Sequence, residues 1–439
     1  MSTSTPIVDQ KSIFGESPAN WRIDRIRDRL NGVVGGEWGD DPESHDEGVE
    51  IPVVRVADIK ELDIETENLT IRRVKASKLP GRLIGQRTLL LEKSGGGEQK
   101  PVGRAVLGRN VTSAAICSNF MAKIDCGLTV SPLFIAYLLD AAYTSGINTA
   151  HIQQTTGIQN LRVFDYLNTH VAIPPLLEQQ RIGDYLDASC AAIDVAVAAK
   201  RGQLEALNAL RKSTIKRAVM MGVNPSVKTQ PTDVEWIPEM PQHWRLVRVK
   251  DVMEFFNTVR VPLSAAERGV MTERTYDYYG ASGVIDRVES YLFDGTYILV
   301  AEDGANLLTR SKPLAFLATG QFWVNNHAHI LKPRWGGDET FFVNLLESRD
   351  FSLFVTGAAQ PKLTMENLGH FKLAVPRVAE QREIASFIRE QDAEFRLLFG
   401  QIERQIETLV AYRKSLIHEC VTGQRRISEA DLNRAKTHG

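Results

Sequence analysis

The chain has 439 residues, 43% of them hydrophobic and 24% charged, and a formal net charge of −2. That length supports two or three domains, and the charge excludes a chain that is basic throughout. The longest apolar stretch, Leu133 to Leu139, is too short to cross a bilayer, and no apolar leader follows Met1 to Thr5, so cytoplasmic residence is the expectation.

Residues 1–20 are polar and read as a flexible N-terminus. A first globular region spans 21–172. Near its start Glu37, Asp40, Asp41, Glu43, Asp46, Glu47 and Glu50 form an acidic stretch that belongs to no motif. Arg72, Arg73, Lys75, Lys78, Arg82, Arg87, Lys93, Lys100, Arg104 and Arg109 follow, opposed only by Glu92 and Glu98. A phosphate-binding face needs such a local excess rather than a global one. Leu89 to Glu92 and Arg104 to Leu107 read as strands around the turn-rich Lys93 to Glu98. Ser131 to Tyr143 reads as a helix opened by Ser-Pro.

Pro174-Pro175 stops the preceding element, and 173–222 reads as a long helix. Leu186, Ile193, Lys200, Leu207 and Thr214 fall seven apart, with Ile182, Ala196 and Leu210 on the companion seam. Residues 223–243 read as a linker, 244–374 as a second, strand-rich globular region. A second long helix over 375–423 carries Ile388, Phe395, Ile402, Leu409 and Leu416 at the same spacing, with Ile384, Leu398 and Tyr412 beside them. Heptads sustained this long indicate a coiled coil, each helix roughly 60 Å long at 1.5 Å per residue. The tail, 424–439, reads as charged and frayed.

The chain repeats itself. Pro174…Glu178-Gln179 returns as Pro376…Glu380-Gln381, and Leu210-Arg211-Lys212-Ser213 as Tyr412-Arg413-Lys414-Ser415. Pro18 to Ile26 echoes Pro241 to Val249 more weakly. Two copies of one unit, each a globular segment followed by a helix, present two similar surfaces.

Enzymatic signatures are missing from the sequence. It has no phosphate loop, and no regular helix follows Gly95-Gly96-Gly97 to receive a phosphate. His327-Ala328-His329 lacks further ligands for a metal set, and Ser282 lacks a full nucleophile elbow. No Asn-Pro-Pro-aromatic motif for an amino-methyltransferase is present. Cys117, Cys126, Cys190 and Cys420 are scattered and read as small buried side chains in a reducing compartment. Binding remains, and duplex DNA suits two matched modules because equivalent groove faces recur about every 34 Å.

These residues resemble the specificity subunit of type I restriction–modification systems. The two Pro-x-x-x-Glu-Gln boxes and their heptad helices carry the resemblance. So do Ile237-Pro238…Trp244, Tyr279 to Gly283, Tyr291 to Gly295, Lys93 to Gly97 and Pro101 to Arg104. It implies an α+β fold: two mixed α/β target recognition domains separated by two long antiparallel coiled-coil helices, with a pseudo-two-fold internal repeat. It implies double-stranded DNA, two methyltransferase subunits and restriction subunits as partners, no membrane, and no catalysis by this chain. S-adenosylmethionine, ATP and Mg belong to those partner subunits, and no metal or cofactor is expected here. Candidate DNA contacts are Lys93, Ser94, Arg104, Arg109, Arg310, Asn325, Asn326 and Lys362. Docking and coiled-coil positions are Glu178, Gln179, Ile182, Leu186, Ile193, Leu207, Glu380, Gln381, Ile384, Ile388, Phe395, Ile402 and Leu409. The alternative is a coiled-coil scaffold with two protein-binding modules and no affinity for DNA.

Overall fold

The computed structural model describes residues 11–44, 47–155, 157–357 and 360–438. The chain forms two units, one of residues 1–201 with 404–439, the other of 202–403. Each long helix, Leu176–Met221 and Val378–Thr422, is therefore shared between them.

In the first unit an antiparallel sheet runs in the order Leu30–Gly35, Met121–Cys126, Thr88–Glu92, Ala105–Leu107. Leu89 and Leu91 face one side and Leu90 the other, and both sides are buried in separate clusters. The helix Pro132–Thr144 covers the first side. Ser131 caps that helix through its hydroxyl, and Pro132 occupies the first turn, where a missing N–H costs nothing. A three-stranded sheet of Ile116–Cys117, Val49–Val54 and Thr70–Val74 lies beside it in the chain's path. Ile182, Leu186, Ile193 and Val197 of the first long helix pack with Leu416, Ile417, Cys420 and Val421 of the second.

The second unit is built on a six-stranded mixed sheet, in the order Met253–Phe255, Ala328–Pro333, Phe293–Ala301, Ala315–Val324, Tyr276–Gly280, Gly283–Val288. The helix Glu339–Glu347 covers one face with Phe341, Phe342, Leu345 and Leu346. The other face buries Phe293, Leu299, Phe322 and Ile330. Here Ile215, Ala218 and Val219 pack with Ile384, Ala385 and Ile388.

Three segments are more ordered than their sequence suggests. Within 223–243 the strands Thr229–Val234 and Ile237–Pro241 form a hairpin instead of a linker, because Val234, Ile237 and Met240 are drawn into the core of the second unit. The tail forms a helix, Glu429–His438, held by buried Ile427 and Leu432 and capped by Ser428. Residues 11–20 are tied in through the Ile13 N–H to the His170 carbonyl and the Phe14 ring against His418. Residues 1–10 lie outside the described residues.

The internal repeat is structural. Arg22–Arg25 pairs antiparallel with His170–Ile173, and Arg245–Arg248 pairs antiparallel with Lys372–Val375. Each module is thus closed at its neck by a two-stranded ribbon, and a Pro box follows directly. In the first box Gln179 Oε1 accepts from the Ser131 N–H at 2.9 Å, and Gln179 Nε2 donates to the Pro174 carbonyl at 2.8 Å. In the second, Gln381 Oε1 accepts from the Asp338 N–H at 3.2 Å, and Nε2 donates to the Pro376 carbonyl at 3.0 Å. Ser131 and Asp338 are the caps of the two covering helices. One buried amide therefore welds each long helix to its module.

Gln381→Leu leaves two backbone groups unpaired in the interior, at about 1–3 kcal/mol each. Denaturant unfolding of the full chain is expected to show a loss of about 2–6 kcal/mol. A loss below about 0.5 kcal/mol, within the range of ordinary surface substitutions, would refute the weld.

Candidate nucleic-acid interface and helix seam

The basic segment of the first module is only partly free. Asp41 pairs with Arg72, Glu50 with Arg73 at 2.7 Å and Glu37 with Lys78 at 3.0 Å. Three carboxylates of the acidic stretch thus find partners within their own unit; Asp46 lies outside the described residues. Arg87 donates to the Gly127 and Val130 carbonyls. Among the described residues Lys75, Lys93 and Lys100 carry no ion pair.

Arg104 and Arg109 are similarly committed. Arg104 Nε sits 3.0 Å from the buried Glu92 carboxylate. Burial pushes the Glu92 carboxyl above its ordinary range, against the pull of Arg104. Arg109 lies 3.1 Å from Asp63 and donates from one nitrogen to both Asp187 oxygens at 2.8 Å. Those two carboxylates outweigh the cost of burial and raise its pKa further. Arg109 fastens the module to the first long helix. Lys93 and Ser94 lie together on the strand edge, where both amides donate to the Phe120 carbonyl and Ser94 Oγ donates to Asn160 at 2.7 Å.

In the second module Asn325, Asn326 and Lys362 gather around Glu302, while Arg310 lies elsewhere. Arg310, in a left-handed conformation, donates to the Arg349 and Glu347 carbonyls at the end of the covering helix. Asn325 is buried, and its Oδ1 accepts from the His327 N–H at 2.8 Å. Asn326 is exposed, and its carbonyl accepts from Arg260 at 3.3 Å. Lys362 Nζ is 3.3 Å from Glu302. The centre of this group was not singled out in the sequence. Arg260 meets Glu302 at 2.6 Å, with side chains only 14% and 11% exposed. The signal available was faint: one Arg and one Glu at a separation of 42 residues.

His329 is fully buried beside them. Its Nε2 donates to the Leu363 carbonyl at 2.7 Å, and its Nδ1 accepts from Asn257 at 2.8 Å, which fixes the neutral tautomer. Burial holds its pKa below the usual histidine range, against the opposing effects of the Leu363 carbonyl and Glu302. Burial alone would raise the Glu302 carboxyl, but Arg260, His329 and Lys362 bring it down. Both groups are depressed in the folded state, so the stability they contribute is complete above their unfolded values and lost on acidification. The unfolded values are about 6.5 for His and about 4.3 for Glu. Thermal unfolding is therefore expected to show a decline from pH 7.5 to 5 that His329→Gln reduces, and a further decline below about pH 4.3. Identical pH profiles for the two proteins between 7.5 and 5 would contradict this.

The heptad positions serve the helix pair itself. Ile182, Leu186, Ile193, Ile384, Ile388 and Phe395 are buried within their units, and Leu207, Ile402 and Leu409 are half-buried. Glu178 is held by Arg426 at 2.8 Å and Asn20 at 3.4 Å. Glu380 is held by His243 at 2.8 Å and the Trp244 indole at 3.0 Å. Each box glutamate thus grips the segment just before a ribbon. The apolar side chains left bare on the helices include Leu177, Val195 and Leu397, and also Leu210, Leu398 and Tyr412, which the spacing had placed on the companion seam but which the structure leaves exposed.

All four cysteines are free and buried. Burial pushes the thiols of Cys117, Cys126, Cys190 and Cys420 up to about 12. Among the described residues no cluster could hold a metal ion, and no helix is long and apolar enough to cross a membrane.

Each module is thus joined to its own long helix by the same ribbon and the same buried glutamine. Residues 241–408 match the family model for the type I restriction modification DNA specificity domain. A putative type I restriction enzyme specificity subunit of Haemophilus influenzae is 29% identical over 157 residues, covering 36% of this chain and 37% of that protein. The match thus spans little more than a third of that relative's length. The MjaVIII type I specificity subunit of Methanocaldococcus jannaschii is 23% identical over 297 residues, 63% of this chain and 67% of the relative. Two solved structures share the fold at 15% identity. One, from a type I restriction–modification system, has a TM-score of 0.70 and covers 93% of this chain and all of its own. The other, the HsdS subunit from Thermoanaerobacter tengcongensis, has a TM-score of 0.51 and covers 93% and 98%. The chain is thus similar to type I specificity subunits, by sequence over part of its length and by fold over most of it.

Proposed function

We propose that this chain is the non-catalytic sequence-specificity subunit of a type I restriction–modification complex in the cytoplasm. The globular regions 21–172 and 244–374 each read one half of a bipartite duplex target. S-adenosylmethionine, ATP and Mg are bound by its partner subunits. The observation that carries this reading is the repeated neck: a ribbon, a Pro box and a buried glutamine weld each module to the helix pair in the same way. A repeat of this kind suits a target with two equivalent faces, as successive turns of duplex DNA offer.

Of the sequence candidates, Lys93, Ser94, Asn326 and Lys362 keep the exposure a DNA contact needs, whereas Arg104, Arg109, Arg310 and Asn325 are engaged internally. Methyltransferase subunits dock on apolar side chains that the structure leaves exposed on the helices, such as Leu177 and Val195 in one unit and Leu210 and Leu397 in the other.

The test is an electrophoretic shift with the full chain, alone and with the methyltransferase subunit of the same system. With a net charge of −2, few phosphates are neutralised, so the chain alone should bind weakly. The complex should bind one bipartite sequence tightly, with an affinity that falls as salt rises. No salt-dependent affinity in either form would favour a protein-binding scaffold.

A further inference from the structure

The acidic stretch that no motif explains builds a wall. Gly36 donates its N–H to the Met121 carbonyl at 3.0 Å and Glu37 to the Cys117 carbonyl at 2.9 Å. The fit is so close that a β-carbon on Gly36 would stand 2.0 Å from the Ser118 carbonyl oxygen. Asp40 then bridges to Arg73 through both backbone groups, and Asp41 pairs with Arg72. Arg72 also donates to the Gly39 carbonyl, and its guanidinium lies 4.8 Å from the centre of the Trp38 ring. The acidic loop and Arg72 thus fix the Trp38 indole in place, with a cation on it as backing.

A cavity of about 400 Å³ opens beside this indole. It lies at the lower end of the range of roughly 300–1,000 Å³ for small-ligand sites. Trp38 and Phe120 supply aromatic walls, and Gly95 and Gly96 supply a side-chain-free edge. Phe120 is 44% exposed although it stands on a firmly held turn, where its carbonyl accepts from both Lys93 and Ser94. Ser118, only 2% exposed, also lines the cavity, and its hydroxyl makes no hydrogen bond among the described residues. A buried hydroxyl left unpaired costs free energy unless an occupant satisfies it. On the same edge Lys93 has no ion-pair partner among the described residues, and its ammonium reaches over Gly35.

We propose that this pocket receives one nucleobase of the target, displaced from the stack, and so makes the first module's readout depend on Trp38, Phe120 and Ser118. Aromatic walls accept the face of any base, and stacking on them offsets the cost of unstacking. The Ser118 hydroxyl offers one hydrogen bond to the base edge, and Lys93 is positioned for the flanking phosphate. A buried aromatic side chain of a protein partner would have no use for Lys93, which favours the nucleotide. The inference rests on the DNA reading above and adds a site to it.

The test uses the full chain with its methyltransferase subunit, in cells whose methylated adenines are mapped by sequencing. Phe120→Ala should leave the fold intact because the ring is well exposed. Discrimination at one base position of one half-site should fall by about tenfold, the other half-site being unchanged. Phe120→Trp should restore it, and Ser118→Ala should relax the same position. An unchanged methylated sequence in Phe120→Ala and Ser118→Ala would overturn the proposal. So would nucleoside binding to the purified chain, read by tryptophan quenching and abolished in Phe120→Ala, with the methylated sequence unchanged: the pocket would then serve a free nucleotide. If even the unaltered complex neither binds nor methylates DNA, the functional reading itself fails, and nucleoside quenching still reports whether the pocket takes a base.

Discussion

Arg260→Ala is expected to destabilise the second unit by about 3–5 kcal/mol, because it strands a buried carboxylate. Arg260 Nη1 donates to Glu302 at 2.6 Å and to the Ala328 carbonyl at 2.8 Å, and its Nε donates to the Asn257 carbonyl at 3.0 Å. One guanidinium therefore pins the strand holding Ala328 to the turn at Asn257 as well as neutralising Glu302. Lys362 cannot replace it, since its amine approaches the other Glu302 oxygen from an exposed position. Denaturant unfolding of the full chain, followed by tryptophan emission, is the measurement. The double variant Arg260→Met, Glu302→Leu should recover much of the loss, because removing both members leaves no charge uncompensated. A single-variant loss below about 1 kcal/mol, the value of an exposed pair, would show that the cluster is solvated and unimportant.

On the proposed function, exchange of residues 244–374 for the matching region of a similar specificity subunit should change one half of the methylated sequence and leave the other half intact. The structural reason is the neck. Arg245 lies opposite Val375 and Arg248 opposite Lys372, so the module enters and leaves through adjacent strands. Paired residues in such a ribbon are only about 5 Å apart, so a foreign module meets the same two attachment points. Its hydrophobic face on Phe293, Leu299, Phe322 and Ile330 is internal to the module. The contacts of Gln381 and Glu380 must be kept, since they weld the graft to the helix. Mapping methylated adenines decides the matter: a shift in both halves would mean that the modules do not read DNA separately.

The sequence carried the repeat, the long helices and the seam because each is encoded in a local period or an exact echo. Ile182, Leu186 and Ile193 are buried as their spacing requires, and so are Ile384, Ile388 and Phe395. The cap at Ser131 was equally plain, since Ser-Pro before an apolar run satisfies the first turn by itself. The hairpin within 223–243 and the helix of the tail were hidden, because their apolar residues are few and each becomes decisive only against a core supplied from far away.

The candidate site divides in the same way. Residue type alone pointed to Arg104, Arg109 and Arg310, but the positive charge of an arginine says nothing about its partner. Tertiary structure supplied Glu92 for the first, Asp63 and Asp187 for the second, and two backbone carbonyls for the third. The acidic stretch had no reading in sequence because its partners, Arg72, Arg73 and Lys78, stand on another segment of the chain. The pocket at Trp38 and Phe120 brings together residues 82 positions apart, as the difference of their numbers shows. Local patterns are set by the backbone's own periods of 3.6 and 2, so the sequence by itself determined the two-module plan and the helices. Pairing of charges and enclosure of space depend on contacts between distant segments, so only the tertiary structure decided which side chains remain free to meet a partner.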